Sequence, residues 1–148
     1  MDRYTPAGGF TMTEIIVALT VVALALAIAF PMLTAAPQNL GADLQDFSLN
    51  LQVARELGVS RTIHYRVEIT SQTTYALEAQ SGGWVTDRAI TLRRNVNFAA
   101  GDVGKTAEFD TRGIGVSPSV PVTFTLTDTA RGWSKQVTVN AQGMVDHT

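Results

Sequence analysis

Three hydropathy regimes follow one another along the chain. From Ile15 to Leu33 only Thr20 and Pro31 interrupt Ile, Val, Ala, Leu, Phe and Met, and the apolar positions show no period. A helix that is apolar all round is a membrane span or a buried core element, and Phe10 to Leu33 supplies the about 20 residues a bilayer crossing needs. From residue 40 the pattern becomes helical. Leu40, Leu44, Phe47, Leu51 and Ala54 alternate at spacings of four and three, with Leu57 three further on, while Asp43, Gln45, Asp46, Asn50 and Glu56 fall largely off that stripe. This predicts an amphipathic helix packed on the protein's own sheet. Gly41 weakens it, Pro37 makes its junction with the first run uneven, and Gly58 is the expected C-cap.

After Gly58 the period drops to two. In "TIHYRVEI" Ile63, Tyr65, Val67 and Ile69 share one face, and His64, Arg66 and Glu68 the other. "TYALEAQ" repeats the pattern with Tyr75, Leu77 and Ala79, and "SGG" turns the chain. Weaker strands are expected around 89–93, 95–99 and 106–110. "VPVTFTLTD" and "SKQVTVNA" read as a hairpin through "TARG", with Val122, Phe124 and Leu126 facing Val137 and Val139, and threonines on the solvent side. The predicted fold is α+β: a long N-terminal helix, partly transmembrane, followed by an antiparallel β-sheet or sandwich domain. The expected divisions are a leader at 1–9, a spanning half-helix at 10–33, an amphipathic half-helix at 34–58 and a β domain at 59–148. No internal repeat or low-complexity linker interrupts them.

Composition narrows the chemistry. A chain of 148 residues that spends part of its length on an apolar run has room for one small core. The net charge of −2 is spread along the sequence, so no long-range field favours nucleic acid or an anionic surface. Cysteine is absent, which excludes disulfides, thiol catalysis and Cys-based zinc sites. Glu14 stands out instead. It heads the apolar run, and a carboxylate inside a membrane helix costs about 2.5–3.5 kcal/mol on insertion scales, so it marks a function and calls for a partner.

"GGFTMTE" followed by this run resembles the class III signal of type IV pilins and type II secretion pseudopilins. The resemblance implies removal of the leader by a membrane aspartyl prepilin peptidase between Gly9 and Phe10, and methylation of the new Phe10 amine. Glu14 becomes the fifth mature residue, where the family keeps a glutamate that pairs with the amine of a neighbouring subunit during assembly. Pro31 becomes the twenty-second, where many members carry a helix-disturbing proline, so it is the expected kink. Neither an ordinary secretory signal, for which "TAAP" at 34–37 supplies a possible exit, nor a generic single-span anchor accounts for Glu14.

Further along, "LQVARELGVSR", "FDTRGIGVSP" and the terminal "VTVNAQGMV" resemble the minor pseudopilin H and minor pilin T group. A C-terminal disulfide loop, usual in major pilins, is impossible without cysteine. The calcium loop usual in major pseudopilins finds only the isolated Asp102, Asp110 and Asp128. The implied role is that of a structural subunit, not an enzyme, with no cofactor and no metal. It would sit in the bacterial inner membrane as a single-pass protein with a periplasmic domain, then in a pseudopilus or pilus. Its implied partners are other pilin or pseudopilin subunits, the prepilin peptidase and the inner-membrane assembly platform; both type II secretion and a type IV pilus fit.

Rival readings carry less. "AAGDVGKT" ends like a P-loop, but Ala99 stands where the first glycine belongs and a strand pattern follows. His64 lies on a polar strand face and His147 in the tail, neither with an acidic or serine partner at motif spacing. DNA uptake is the alternative function, since some T-type minor pilins use a basic C-terminal motif. Here that end reads "QGMVDHT", leaving Arg88, Arg93 and Arg94 as the candidate nucleic-acid contacts. A single-pass anchored periplasmic binding domain is the other alternative. Trp84 and Trp133 lie beside turns, where covering the core edge is the favoured reading.

Overall fold

The computed structural model describes residues 11–117 and 120–147, with the side chains of 28–38 excepted. The chain divides into two compact units, residues 1–35 and 36–148. One helix, α1 (Met12–Arg61), contributes to both. Among the described residues eight strands follow: β1 (Tyr65–Ser71), β2 (Thr74–Gln80), β3 (Trp84–Thr91), β4 (Val96–Phe98), β5 (Thr106–Phe109), β6 (Val122–Asp128), β7 (Trp133–Val139) and β8 (Val145–His147).

In the first unit, α1 opens on a capping box. The Glu14 carboxylate accepts from the Thr11 amide and hydroxyl, both at 3.2 Å, and the Glu14 amide donates to Thr11 Oγ1 at 3.3 Å. Two amides at the helix start are thereby satisfied. Every described side chain from Met12 to Ala27 is exposed, including Ile15, Leu19, Val22 and Leu26. Among the described residues no helix is long and apolar enough to cross a membrane. Side chains of the expected spanning run are described only to residue 27. Gly9 and Phe10 lie outside the described residues, as does the Pro31 side chain on which the expected kink rests.

In the second unit the helical stripe meets two four-stranded antiparallel sheets, ordered β3-β2-β1-β5 and β4-β6-β7-β8. Leu40, Leu44, Phe47, Leu51 and Ala54 are buried, as their spacing predicts. The facing strand residues, Tyr65, Val67, Ile69, Tyr75 and Leu77 from one sheet and Val122, Phe124, Leu126, Val137 and Val139 from the other, complete a single core. Phe47 touches rings from both sheets, edge-on to Tyr75, Phe98 and Phe124 at centroid distances of 5.0, 5.2 and 5.2 Å. The predicted hairpin is present in the predicted register: Val122 opposes Val139 and Phe124 opposes Val137. Asp128 shapes its turn, its carbonyl accepting from the Gly132 amide (2.7 Å) and its carboxylate from the Ala130 amide (2.9 Å).

Three expectations need correction. The helix does not stop at Gly58 but runs to Arg61, and Thr62 takes the left-handed capping conformation at φ 55°. Gly58 is small for a different reason: a Cβ there would stand 3.1 Å from the Asp110 carbonyl oxygen, where the helix crosses the end of β5. The strand expected at 89–93 is the tail of β3, which begins at Trp84. Most of β3 is exposed on both faces, so it lacks the alternation that marks a half-buried strand. His147 is not in a frayed tail but in β8, opposite Val137.

Candidate functional site

The three candidate arginines have different surroundings. Arg93 binds the helix: its guanidinium reaches Asp43 Oδ1 at 2.6 Å and Asp46 Oδ2 at 2.8 Å, and its amide donates to Asp43 Oδ2 at 2.9 Å. Asp46 and Asp43 together hold the Arg93 guanidinium pKa above its ordinary value. Asp43 is buried, so this clasp supplies a counter-charge and two donors to a carboxylate that would otherwise be costly. Beside it Tyr75 is pushed up to about 12, mainly by burial, even though Asn50 Nδ2 donates to its hydroxyl at 2.9 Å. Arg88 and Arg94 are exposed, on β3 and in the loop after it. Arg93→Ala is therefore expected to lower the thermal unfolding midpoint of the detergent-solubilised chain without changing retention on duplex DNA; the reverse pattern would restore Arg93 as a DNA contact.

The P-loop lookalike is a structural turn. Asp102 accepts from Lys105 Nζ at 2.5 Å and from the Thr125 amide at 2.6 Å, tying the turn to β6. Lys105 also reaches the Thr123 carbonyl, and the chain continues into strand β5, so no helix N-terminus is presented to a phosphate. His64 has a partner that spacing did not reveal. Its Nδ1 lies 3.0 Å from Glu108 Oε1 across the β1–β5 ladder. Among the described residues no group of three His, Asp or Glu side chains is arranged to hold a metal ion.

Trp84 does not cover the core edge: it is half-buried on the polar sheet face, with the Arg66 guanidinium 4.3 Å from its ring and Arg66 Nε bonded to Glu78 at 2.7 Å. Neither does Trp133, which is 53% exposed at the start of β7 with Arg131 over its ring.

A junction missed by the sequence reading joins the helix to both C-terminal loops. Arg55 Nε donates to the Gly113 carbonyl at 2.9 Å. Gly113 (φ 75°) and Gly143 (φ 72°) are both left-handed, and a Cβ at Gly143 would be driven into the Gly113 carbonyl oxygen. Only glycine fits there without moving one loop off the other. Asp110 sets the first of these loops. Burial works to raise its pKa, but the Ile114 amide, the Arg112 guanidinium and the Arg112 amide outweigh it and hold the carboxyl below its usual range. The sequence signal was present in "ARE", "TRGIG" and "AQGM", but their meeting was not.

The geometry thus offers helix-to-sheet packing and exposed apolar surface, with its polar clusters engaged in holding loops and strands. The fold is shared with solved filament proteins. The minor pseudopilin EpsH of the type 2 secretion system of Vibrio cholerae superposes with a TM-score of 0.60 at 15% identity, covering 74% of this chain and 96% of that one. The type IV minor pilin FimU of Pseudomonas aeruginosa superposes with a TM-score of 0.63 at 15% identity, covering 76% and 90%. No curated protein sequence matches the chain. The family model described as type II transport protein GspH matches residues 43–143, from the helix through the last turn. Spanning well over half of the sequence, that match shows that the chain belongs to the GspH family.

Proposed function

We propose that the protein is a minor pilin or pseudopilin: a structural subunit made as a membrane-anchored precursor, cleaved after Gly9 and packed into a periplasmic or extracellular filament. One observation carries the reading. From Met12 to Leu26 nine large apolar side chains, each 51–81% exposed, surround the helix. Continuous apolar surface of that kind needs lipid or neighbouring helices around it. A single segment serves as anchor before assembly and as filament core after it. The capping box holds the Glu14 carboxylate at the very start of the helix, next to where a Phe10 amine would be created.

Processing tests this directly. Co-expression with a prepilin peptidase is expected to remove nine residues and leave a methylated Phe10 as the N-terminus, measured by intact mass. Gly9→Val is expected to block the cut, because a branched side chain crowds the scissile backbone. Retention of Met1 in the wild type, or a cut after Ala36, would overturn the assignment.

A further inference from the structure

We propose that the end of the second unit at which the chain enters it docks on an anionic lipid surface through Trp133, Arg94, Arg131 and Lys135; this rests on the membrane-anchored reading above. Strand β7 runs against the direction of α1. Val139 pairs with Val145, which lines a hollow with Arg55 and Val59, whereas Lys135 lines another with Gly41 and Leu44. Trp133 lies two residues before Lys135, about 7 Å nearer the point at residue 36 where the chain enters the unit. Two loops share that end. The Arg93 clasp fixes one of them to Asp43 and Asp46 on α1. The Asn95 carbonyl then accepts from the Thr129 amide (2.9 Å) and hydroxyl (3.2 Å), which ties that loop to the β6–β7 turn.

The surface at this end is aromatic and cationic. Position 133 shares a strand face with Val137 and Val139, which are buried in the core, yet the Trp133 ring is exposed. The Arg131 guanidinium stands 5.3 Å from the centre of that ring, and Arg94 and Lys135 are exposed. The carboxylates of the same end are turned inward or matched. Asp43 and Asp128 are buried, and Asp46 is bridged to Arg93. The net charge of −2 conceals this separation, which acts at contact and is screened at long range. An indole flanked by cations suits the lipid headgroup layer, because the ring is amphipathic and long cationic side chains reach phosphate while their stems stay on apolar surface.

The reach of the chain favours lipid over other acidic surfaces. Leu33 ends the apolar run, and Leu40 is the first buried position described in the second unit. The step between them spans about 10 Å as helix and at most about 25 Å as extended chain. The headgroup layer is itself about 5–8 Å deep on each side of a bilayer. An anchored chain therefore holds this end within about two Debye lengths of lipid phosphate. Lipid is thereby present at high local concentration, whereas any soluble acidic partner has to be captured from solution.

The test places the full chain in phosphatidylcholine vesicles, with or without phosphatidylglycerol, whose acyl chains are brominated near the headgroup, and reads tryptophan emission. The chain has two tryptophans, so Trp84→Phe leaves Trp133 alone and Trp133→Phe leaves Trp84 alone. Trp84 pairs with Gln80, whose amide donates to the His64 carbonyl just beyond the end of α1, so it marks the other end of the unit. In phosphatidylglycerol vesicles the bromolipid is expected to quench Trp133 about two-fold or more and to leave Trp84 unchanged. Salt at about 0.5 M, or Arg94→Glu combined with Lys135→Glu, should remove most of that quenching while the circular dichroism spectrum stays the same. Equal quenching of both tryptophans, quenching that ignores lipid charge, or none in a chain that floats with the vesicles would overturn the docking surface and leave the anchored reading standing. Trp133 emission that responds only to duplex DNA or to other pilin subunits would do the same, and would reassign the surface to that partner. A wild-type chain that does not float with the vesicles would overturn the anchored reading, and the docking surface with it.

Discussion

Phe47→Ala is expected to destabilise the second unit by about 3–5 kcal/mol. The ring is fully buried and packs edge-on against Tyr75, Phe98 and Phe124, which come from the two different sheets. Each aromatic pair adds about 0.5–1.5 kcal/mol beyond the area it buries. Removing the ring opens a cavity bounded by helix and both sheets, and such walls collapse inward only in part. Ala54, also fully buried, is already small and offers no comparable loss. The measurement is the denaturant midpoint of the detergent-solubilised chain, followed by a β-sheet signal so that helix 12–27 does not mask it. A loss below about 1 kcal/mol would mean that the two sheets are held together elsewhere.

Glu14→Ala is expected to leave membrane insertion and cleavage after Gly9 intact but to exclude the subunit from filaments. Losing the charge makes the run more apolar, and the glycine and leader are untouched. The carboxylate serves two ends that a second variant separates. As the third helical residue after Thr11 it completes the capping box, an interaction that costs about 0.5–2 kcal/mol to lose. As the partner of a neighbour's Phe10 amine it would offset a buried cation, which left buried and unpaired costs roughly 3–5 kcal/mol. Glutamine keeps the cap and a hydrogen bond to the amine, but not the charge. Glu14→Gln should therefore assemble at an intermediate level, scored by co-purification with the other processed pilins. Assembly of Glu14→Gln at wild-type level with failure of Glu14→Ala would assign the residue to helix capping. Wild-type assembly of both would show that Glu14 acts elsewhere, in peptidase recognition or membrane orientation.

The sequence by itself determined whatever depends on neighbours a few positions apart. The unbroken apolar run, the stripe from Leu40 to Ala54 and the alternation in β1, β2, β6 and β7 each repeat with the period of one backbone conformation, so they are legible in one dimension. The capping box is local too, written as "TMTE" with Glu14 three residues after Thr11. Tertiary structure alone decided the rest, because the deciding partner lies far along the chain. Arg93 became a clasp on the helix through Asp43 and Asp46, about fifty positions earlier. Gly58 became a crossing point rather than a cap through Asp110, and His64 found Glu108 across a ladder. Periodicity tells which face of an element seeks cover; only the packed fold determines how much of that face its own chain leaves uncovered.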